Sequence, residues 1–396
     1  MQRAWFLAAL LLLSSCVRSL SIQPTLIPGP PQAASAIPAP TFSPVPPAAS
    51  PFAGVTASPA ASQPPAAPPE TATTGKPLPK EQPVVQIPLD GPAATQEAEL
   101  TGMAWYSSTL ILLPRDPARF ADKLPESTPP ADGAVFALDK AEILSFLDGA
   151  SPGPLTPRLV PVLAPGLAQP VNGFTGFQAI AVQGERIFLT LAAKPGPAAR
   201  SYLVTGLIAP GLTSLHLDTA HTASISPDAG LPDAVEKSLV VAGSRLLTFN
   251  EANGRGVNPA PQAHLFDLSL REQGTLPFPN LEYRLGDMTP PDDAGQFWAT
   301  NYFFPLDRAL AVDSDPLFEL YPKGYTHSVW ITVERLVQFQ FGEFGIHLSD
   351  IPPIQLQLLD DNHPRQWEAI ARLDGRGFLL ATDRNPTTIL GFVALP

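Results

Sequence analysis

The sequence predicts an all-β fold assembled from five repeated four-stranded units, and three observations predict it. A strand-turn-strand pattern returns five times: "LTGMAWYSSTLILLP" at 100–114, "FQAIAVQGERIFLTL" at 177–191, "KSLVVAGSRLLTFNE" at 237–251, "DMTPPDDAGQFWATNY" at 287–302 and "WEAIARLDGRGFLLATD" at 367–383. Each copy is followed by a third β-rich segment: "AVFALDKAEILSFL" (134–147), "RSYLVTGLIA" (200–209), "QAHLFDLSL" (262–270), "VERLVQFQF" (333–341) and "TTILGFVAL" (387–395). Four copies then have a fourth, at 157–163, 213–218, 274–280 and 353–360, and the strand the last copy lacks stands upstream of the first, in "PVVQIPL" at 83–89. A period of this size decides the architecture before local propensity does. Four antiparallel strands per unit, closed by a strand from the other end of the chain, describe a five-bladed β-propeller whose N-terminal strand completes the last blade. Two stacked β-sandwiches would also use short strands and frequent turns; the spare strand matching the incomplete unit weighs against them. The intervals 103–180 and 288–370 are filled by third and fourth strands, which leaves no room for a sixth blade.

Ahead of the repeats, residues 1–15 read as a signal peptide: one positive charge at Arg3, an apolar run from Ala4 to Leu13, then small residues before Cys16. That run is too short to span ~30 Å of hydrocarbon as a mature helix. Cys16 is the only cysteine of the chain, and "LSSC" at 13–16 resembles the lipobox of bacterial lipoproteins, in which the cysteine is acylated. The resemblance implies an extracytoplasmic protein anchored through Cys16 to a bacterial membrane, at the outer face of the cell membrane or at the outer membrane. Residues 16–80 then form the lipidated cysteine and a linker. Of the 64 residues from Val17 to Lys80, 17 are proline, and the rest bury too little apolar surface to offset ordering, so a disordered, partly polyproline-II tether is expected. The propeller domain is expected over 81–396, without a disulfide and as a monomer. A formal net charge of −12 and a pI near 4.9 exclude nucleic-acid binding by bulk electrostatics.

In a blade the start of the first strand lies beside the end of the second, so both open onto one face near the central channel. At first-strand starts the sequence places Thr101, Gln178, Lys237, Asp287 and Glu368; at second-strand ends it places Arg115, Asn250, Glu251, Asn301, Tyr302, Asp383 and Arg384. This is the expected ligand-binding face. Asp287, Glu368, Glu251 and Asp383 are the candidate metal ligands, since calcium takes six to eight hard oxygens. Lys237 in the same ring offers another way to neutralise them, leaving a hydrated channel mouth. No G-x-S-x-G elbow is present, and the six histidines are scattered without metal-ligand spacing.

The units "WEAIARLDGRGFLLATDR" (367–384) and "GFQAIAVQGERIFLTL" (176–191) resemble repeats of the phytase-like propeller family, the "esterase-like activity of phytase" group, in which a Glu-small-Ile element recurs before a glycine turn. The likeness runs over roughly 99–396. Glu368 matches the motif glutamate and Asp287 matches in part, whereas Gln178, Lys237 and Thr101 depart from it. The resemblance implies a calcium-supported phosphoric ester hydrolase. A ligand-binding or interaction module asks less of the sequence. A glycan-acting enzyme would need two carboxylates flanking a cleft, and Asp287 with Glu368 on neighbouring blades could meet that. The catalytic candidates are Glu368, Asp287, Asp383 and Arg384.

If Cys16 carries the anchor, Cys16→Ser moves the protein from the membrane fraction to the soluble fraction in a fractionation blot; equal membrane signal for variant and wild type refutes lipidation.

Overall fold

The computed structural model describes residues 78–227, 231–342, 344–360, 363–384 and 386–396. The expected signal peptide, Cys16 and the expected linker up to residue 77 lie outside them. No helix among the described residues is long and apolar enough to cross a membrane.

The fold is all-β with a few short helices. A first strand, β1 (Val85–Ile87), precedes five groups. They are β2 (Leu100–Tyr106), β3 (Thr109–Pro114), β4 (Gly133–Asp139) and β5 (Arg158–Leu163); then β6 (Phe174–Gln183), β7 (Arg186–Ala193), β8 (Arg200–Ile208) and β9 (Leu215–Ile225). Next come β10 (Glu236–Ala242), β11 (Arg245–Asn250), β12 (Gln262–Asp267) and β13 (Glu272–Pro277), followed by β14 (Arg284–Met288), β15 (Gln296–Phe303), β16 (Val333–Gly342), β17 (Gly345–Leu348) and β18 (Ile354–Gln355). The last group is β19 (Trp367–Leu373), β20 (Gly377–Thr382) and β21 (Leu390–Ala394). Neighbours within each group pair antiparallel. β1 pairs antiparallel with β21, Val85 opposite Phe392 and Ile87 opposite Leu390. A short parallel pairing of β5 with β9, through Val162 and Leu215, joins the first two groups into one eight-stranded sheet.

The first strands touch in a closed cycle: β2 against β6, β6 against β10, β10 against β14, β14 against β19, and β19 back against β2. Five apolar clusters fill the spaces between consecutive groups. Leu112 and Leu379 share one cluster, Val135 and Ile187 the next, Phe188 and Phe266 a third, Phe249 and Phe339 a fourth, and Trp298 and Leu380 the fifth. Strand alternation explains how one strand serves two clusters: Leu110 and Leu112 of β3 face one neighbour, Ile111 and Leu113 the other. Because both faces are buried, the second strands read as unbroken apolar runs such as "LILL" rather than as alternation. Tight turns close the first hairpins, with Gly184 and Gly243 at φ 59° and 62°. Ser107 takes φ 56° where the first copy lacks that glycine. Gly102 answers a different need: a Cβ there would lie 3.0 Å from Ile180 Cγ2 and 3.1 Å from its backbone nitrogen, so β2 and β6 approach this closely only without a side chain.

Two expected strands are corrected. "AVFALDKAEILSFL" is strand only to Asp139; Lys140–Leu147 is a helix, α1. The sequence carries its start signal, Asp139 with Glu142 three residues on, and the Asp139 N–H donates to Glu142 Oε2 at 3.3 Å. The segment 353–360 is strand only at β18, and β16 receives both β17 and β18 along its outer edge.

Residues 81–92 do more than pair. Glu81 accepts from the Thr326 N–H and hydroxyl (3.0 and 2.8 Å) and from His327 N and Nδ1 (3.0 and 2.7 Å), and Ile87 is buried in an apolar cluster. Deleting 81–92 is therefore expected to lower the melting temperature far more than deleting 17–80. At about 2–4 °C per kcal/mol, loss of Ile87 and the Glu81 contacts gives a readily measured gap; coincident melts would show that β1 contributes nothing.

Candidate functional site

Each first strand breaks its register at one equivalent place, and β6 does so once more, between Phe174 and Gly176. Residues 100 and 102, 177 and 179, 236 and 238, and 367 and 369 pair with consecutive partners, which leaves Thr101, Gln178, Lys237 and Glu368 as the extra residues; in β14 Gly286 and Asp287 share one partner position. A bulge re-aims the side chain it carries. All five polar side chains at these bulges are buried.

The structure brings seven of the predicted residues together around a cavity of about 320 Å³: Arg115, Gln178, Lys237, Glu251, Tyr302, Glu368 and Asp383. Five predicted residues do not line it. Thr101 is wholly buried and donates to Phe177 O at 3.1 Å. Asn250 and Asn301 hold backbone: Asn250 accepts from Ala252 N at 3.0 Å, and Asn301 donates to Arg284 O at 2.9 Å while accepting from Arg335 Nε at 2.7 Å. Arg384 is exposed beside Glu99. Asp287 sits fourth of five residues in β14 rather than at its start, so it lies deeper in the ring, with Met103 N 3.5 Å from its Oδ2. Burial pushes its carboxyl well up.

The residue that enters the cavity from the start of β14 is Arg284, which the repeat alignment missed because it began the strand three residues late. Arg284 donates to Glu251 and, at 2.5 Å, to Asp307. Burial pulls its pKa down, but Glu251, Tyr302 and Asp307 outweigh it and hold the guanidinium charged. Lys194, Gln366 and Asp233 also line the cavity, and no motif pointed to them.

The central contact is an ion pair between Lys237 and Glu368, each side chain 5% exposed, with the Tyr302 hydroxyl donating to the other Glu368 oxygen at 2.7 Å. Burial alone would raise the Glu368 pKa; the charges of Lys237 and Arg115 and the two hydrogen bonds reverse this and hold it below the ordinary range. Asp383 goes the other way: burial first, then the Glu368 charge, raise its pKa, although Arg115 stands 3.4 Å away. Two carboxylates in one cavity are thus driven apart in protonation. Burial and the Glu368 charge also raise the Tyr302 phenol well above its ordinary value, so it remains a donor. The carboxylates grouped in the sequence as metal ligands are drawn onto separate cations, Glu368 to Lys237, Glu251 to Arg284 and Asp383 to Arg115, while Asp287 is held apart. Among the described residues no group of three or more His, Cys, Asp or Glu side chains is placed to hold a metal.

No family model matches the sequence, and no curated protein matches it. The resemblance to phytase-like propellers therefore finds no support there. Among solved structures, a glycosyl hydrolase from Bacteroides ovatus is similar at TM-score 0.41 and 9% identity, over 80% of this chain and 94% of that one. The catalytic domain of a GH62 alpha-L-arabinofuranosidase from Coprinopsis cinerea is similar at TM-score 0.40 and 9% identity, over 80% and 98%. Kuenenia stuttgartiensis hydrazine synthase is similar at TM-score 0.34 and 11% identity, over 73% and 75%. At TM-scores below 0.5 these likenesses assign neither a site nor an activity.

Lys237→Met leaves the Glu368 carboxylate buried without its cation, a change that typically costs about 3–5 kcal/mol. Adding Glu368→Gln removes the stranded charge, so the double variant is expected to melt above Lys237→Met alone. If the double variant melts no higher than Lys237→Met, the pair is not what organises this site.

Proposed function

We propose that the chain is a five-bladed β-propeller, its last blade completed by β1, that acts on a glycan at the polar end of its ring. We place it outside the cytoplasm, anchored through Cys16 to a bacterial membrane. The cyclic contacts of the first strands and the β1–β21 pairing support the architecture. The signal sequence and the lone cysteine support the location.

The observation that carries the glycan reading is the cavity wall, where cations and carboxyl groups stand together and two of the carboxyls, Asp383 and Glu368, are shifted in opposite directions by their surroundings. Asp383, its pKa raised, holds a proton to higher pH than an ordinary aspartate does despite the nearby Arg115, and is the group to give one to a glycosidic oxygen as the bond to the sugar breaks. Glu368, its pKa lowered, stays ionised to stabilise the positive charge that grows on the anomeric carbon; water then adds to that carbon and gives its proton back to Asp383. The cavity wall matches this substrate class. Arg115, Lys194, Lys237 and Arg284 face Asp233, Glu251, Glu368 and Asp383, four positive groups against four carboxyl groups. A polyphosphate would meet those carboxylates, whereas a neutral ligand with both donors and acceptors meets partners of either kind. Gln178 adds a buried acceptor, Oε1, that has no partner and lines the same cavity; a sugar hydroxyl would supply the donor.

One observation favours a second reading, binding without turnover: both Glu368 oxygens are already engaged, by Lys237 and by Tyr302. Calorimetric titration with neutral oligosaccharides, alongside assay of released reducing sugar, separates the two. On the enzymatic reading Asp383→Asn lowers turnover by about a hundredfold or more with little change in binding. Activity rises as pH climbs through the lowered Glu368 pKa and falls as it passes the raised Asp383 pKa, since the working form has Glu368 ionised and Asp383 protonated. Binding with no turnover in the wild type supports the second reading, and absence of both overturns the proposal. The same titration in millimolar calcium and in chelator shows separately whether this end of the ring takes a cation.

A further inference from the structure

The opposite end of the ring holds a second cavity, of about 390 Å³, and its walls have a different chemistry. They come from the far ends of the first strands: Met103 and Trp105 of β2, Ile180 of β6, Val241 of β10 and Met288 of β14. Thr101 and Asp287, both buried and lining neither cavity, lie on these strands between the two ends. The polar groups at the far end are few. Arg372 of β19 and Asp292 face each other across a long contact, Nη1 to Oδ2 at 3.5 Å. Asp292 spends its other oxygen on the Ala294 and Gln296 N–H groups, at 3.1 and 2.9 Å. The Trp105 indole is fixed by its bond to Arg372 O at 2.7 Å. Gln183, also in the wall, donates to Gly243 O at 2.8 Å. The Arg372 side chain is 36% exposed, but its Nε is buried and has no hydrogen-bond partner.

An apolar cavity of this size with one or two placed polar groups has the composition of a small-molecule site. A buried cationic N–H without an acceptor is costly, so it calls for one, and a charged acceptor answers it best. The walls offer almost nothing to a polyhydroxylated ligand. We propose that this end of the ring binds a small apolar carboxylic acid, its hydrocarbon among Met103, Ile180, Val241 and Met288 and its carboxylate on the Arg372 guanidinium. The site is independent of the polar end and does not rest on the glycan reading.

The test uses the full chain carrying Cys16→Ser, so that neither acyl chains nor detergent bind the dye. Anilinonaphthalenesulfonate, an apolar aromatic anion, is titrated in and followed by energy transfer from tryptophan, with Trp105 in the wall as a near donor. Decanoate and decanol serve as competitors. The expected result is one saturable site from which decanoate displaces the dye about tenfold more tightly than decanol does. Val241→Phe, which fills the cavity, weakens all three ligands by about tenfold or more. Arg372→Met brings decanoate down to the level of decanol and leaves decanol unchanged. If Val241→Phe loses its near-ultraviolet circular dichroism, the ratio of decanoate to decanol in Arg372→Met decides alone. The proposal is overturned if the wild type binds none of the three, since the cavity then holds only water. It is equally overturned if Arg372→Met keeps the wild-type preference for decanoate.

Discussion

Five first strands touch one another in a closed cycle, and nearly everything else in the molecule follows from that constraint. Strands this close leave little room for side chains between them. Gly102 against Ile180 is one place where the room vanishes, and Gly286, where a Cβ would lie 2.5 Å from Trp367 O, is another. The glycine beside a site position, Gly102 after Thr101 and Gly286 before Asp287, is thus a packing requirement between first strands, whatever the site does. The bulge beside it is the complementary device: it takes a polar side chain out of the crowded ladder and turns it along the axis.

The same geometry divides the chemistry. In the second strands both faces are buried, so neighbouring sheets are held there by apolar contact and need few polar bonds. Along the axis, polar groups are unavoidable, because bulged backbone and buried side chains must find partners. At the end where the first strands begin, Lys237, Arg284 and Arg115 each meet a carboxylate. At the end where they finish, the walls are methionine, isoleucine, valine and tryptophan. One ring therefore presents two solvents, one like water and one like oil.

Much of this was legible in the sequence. The strand pairs stood out because burial on both faces makes them continuous apolar runs, and seven of the twelve face residues do meet in one cavity. Other features were hidden for physical reasons. Whether Asp287 or Arg284 reaches the cavity depends on which residue the bulge sets opposite Thr300, and hydrophobic pattern carries no record of that. Asn250 and Asn301 have the side chains of ligands, but backbone groups claim them, which only the fold reveals. The α1 start signal at Asp139 and Glu142 was readable, and the β-like run before it masked the change of period.

The contacts of Glu81 fasten the residues ahead of β1: its carboxylate accepts four hydrogen bonds from Thr326 and His327. Burial pulls the His327 pKa down past the opposing pull of Glu81, so the ring is neutral, donating through Nδ1 and accepting from Glu334 N through Nε2. Burial raises the Glu81 pKa, and the bonds to His327 and Thr326 more than reverse this. A carboxyl lowered in this way loses its contribution as pH falls through its folded value. The start of the fold is thus held, just ahead of the short edge strand β1, by a cleat that grips in neutral surroundings and slackens in acid.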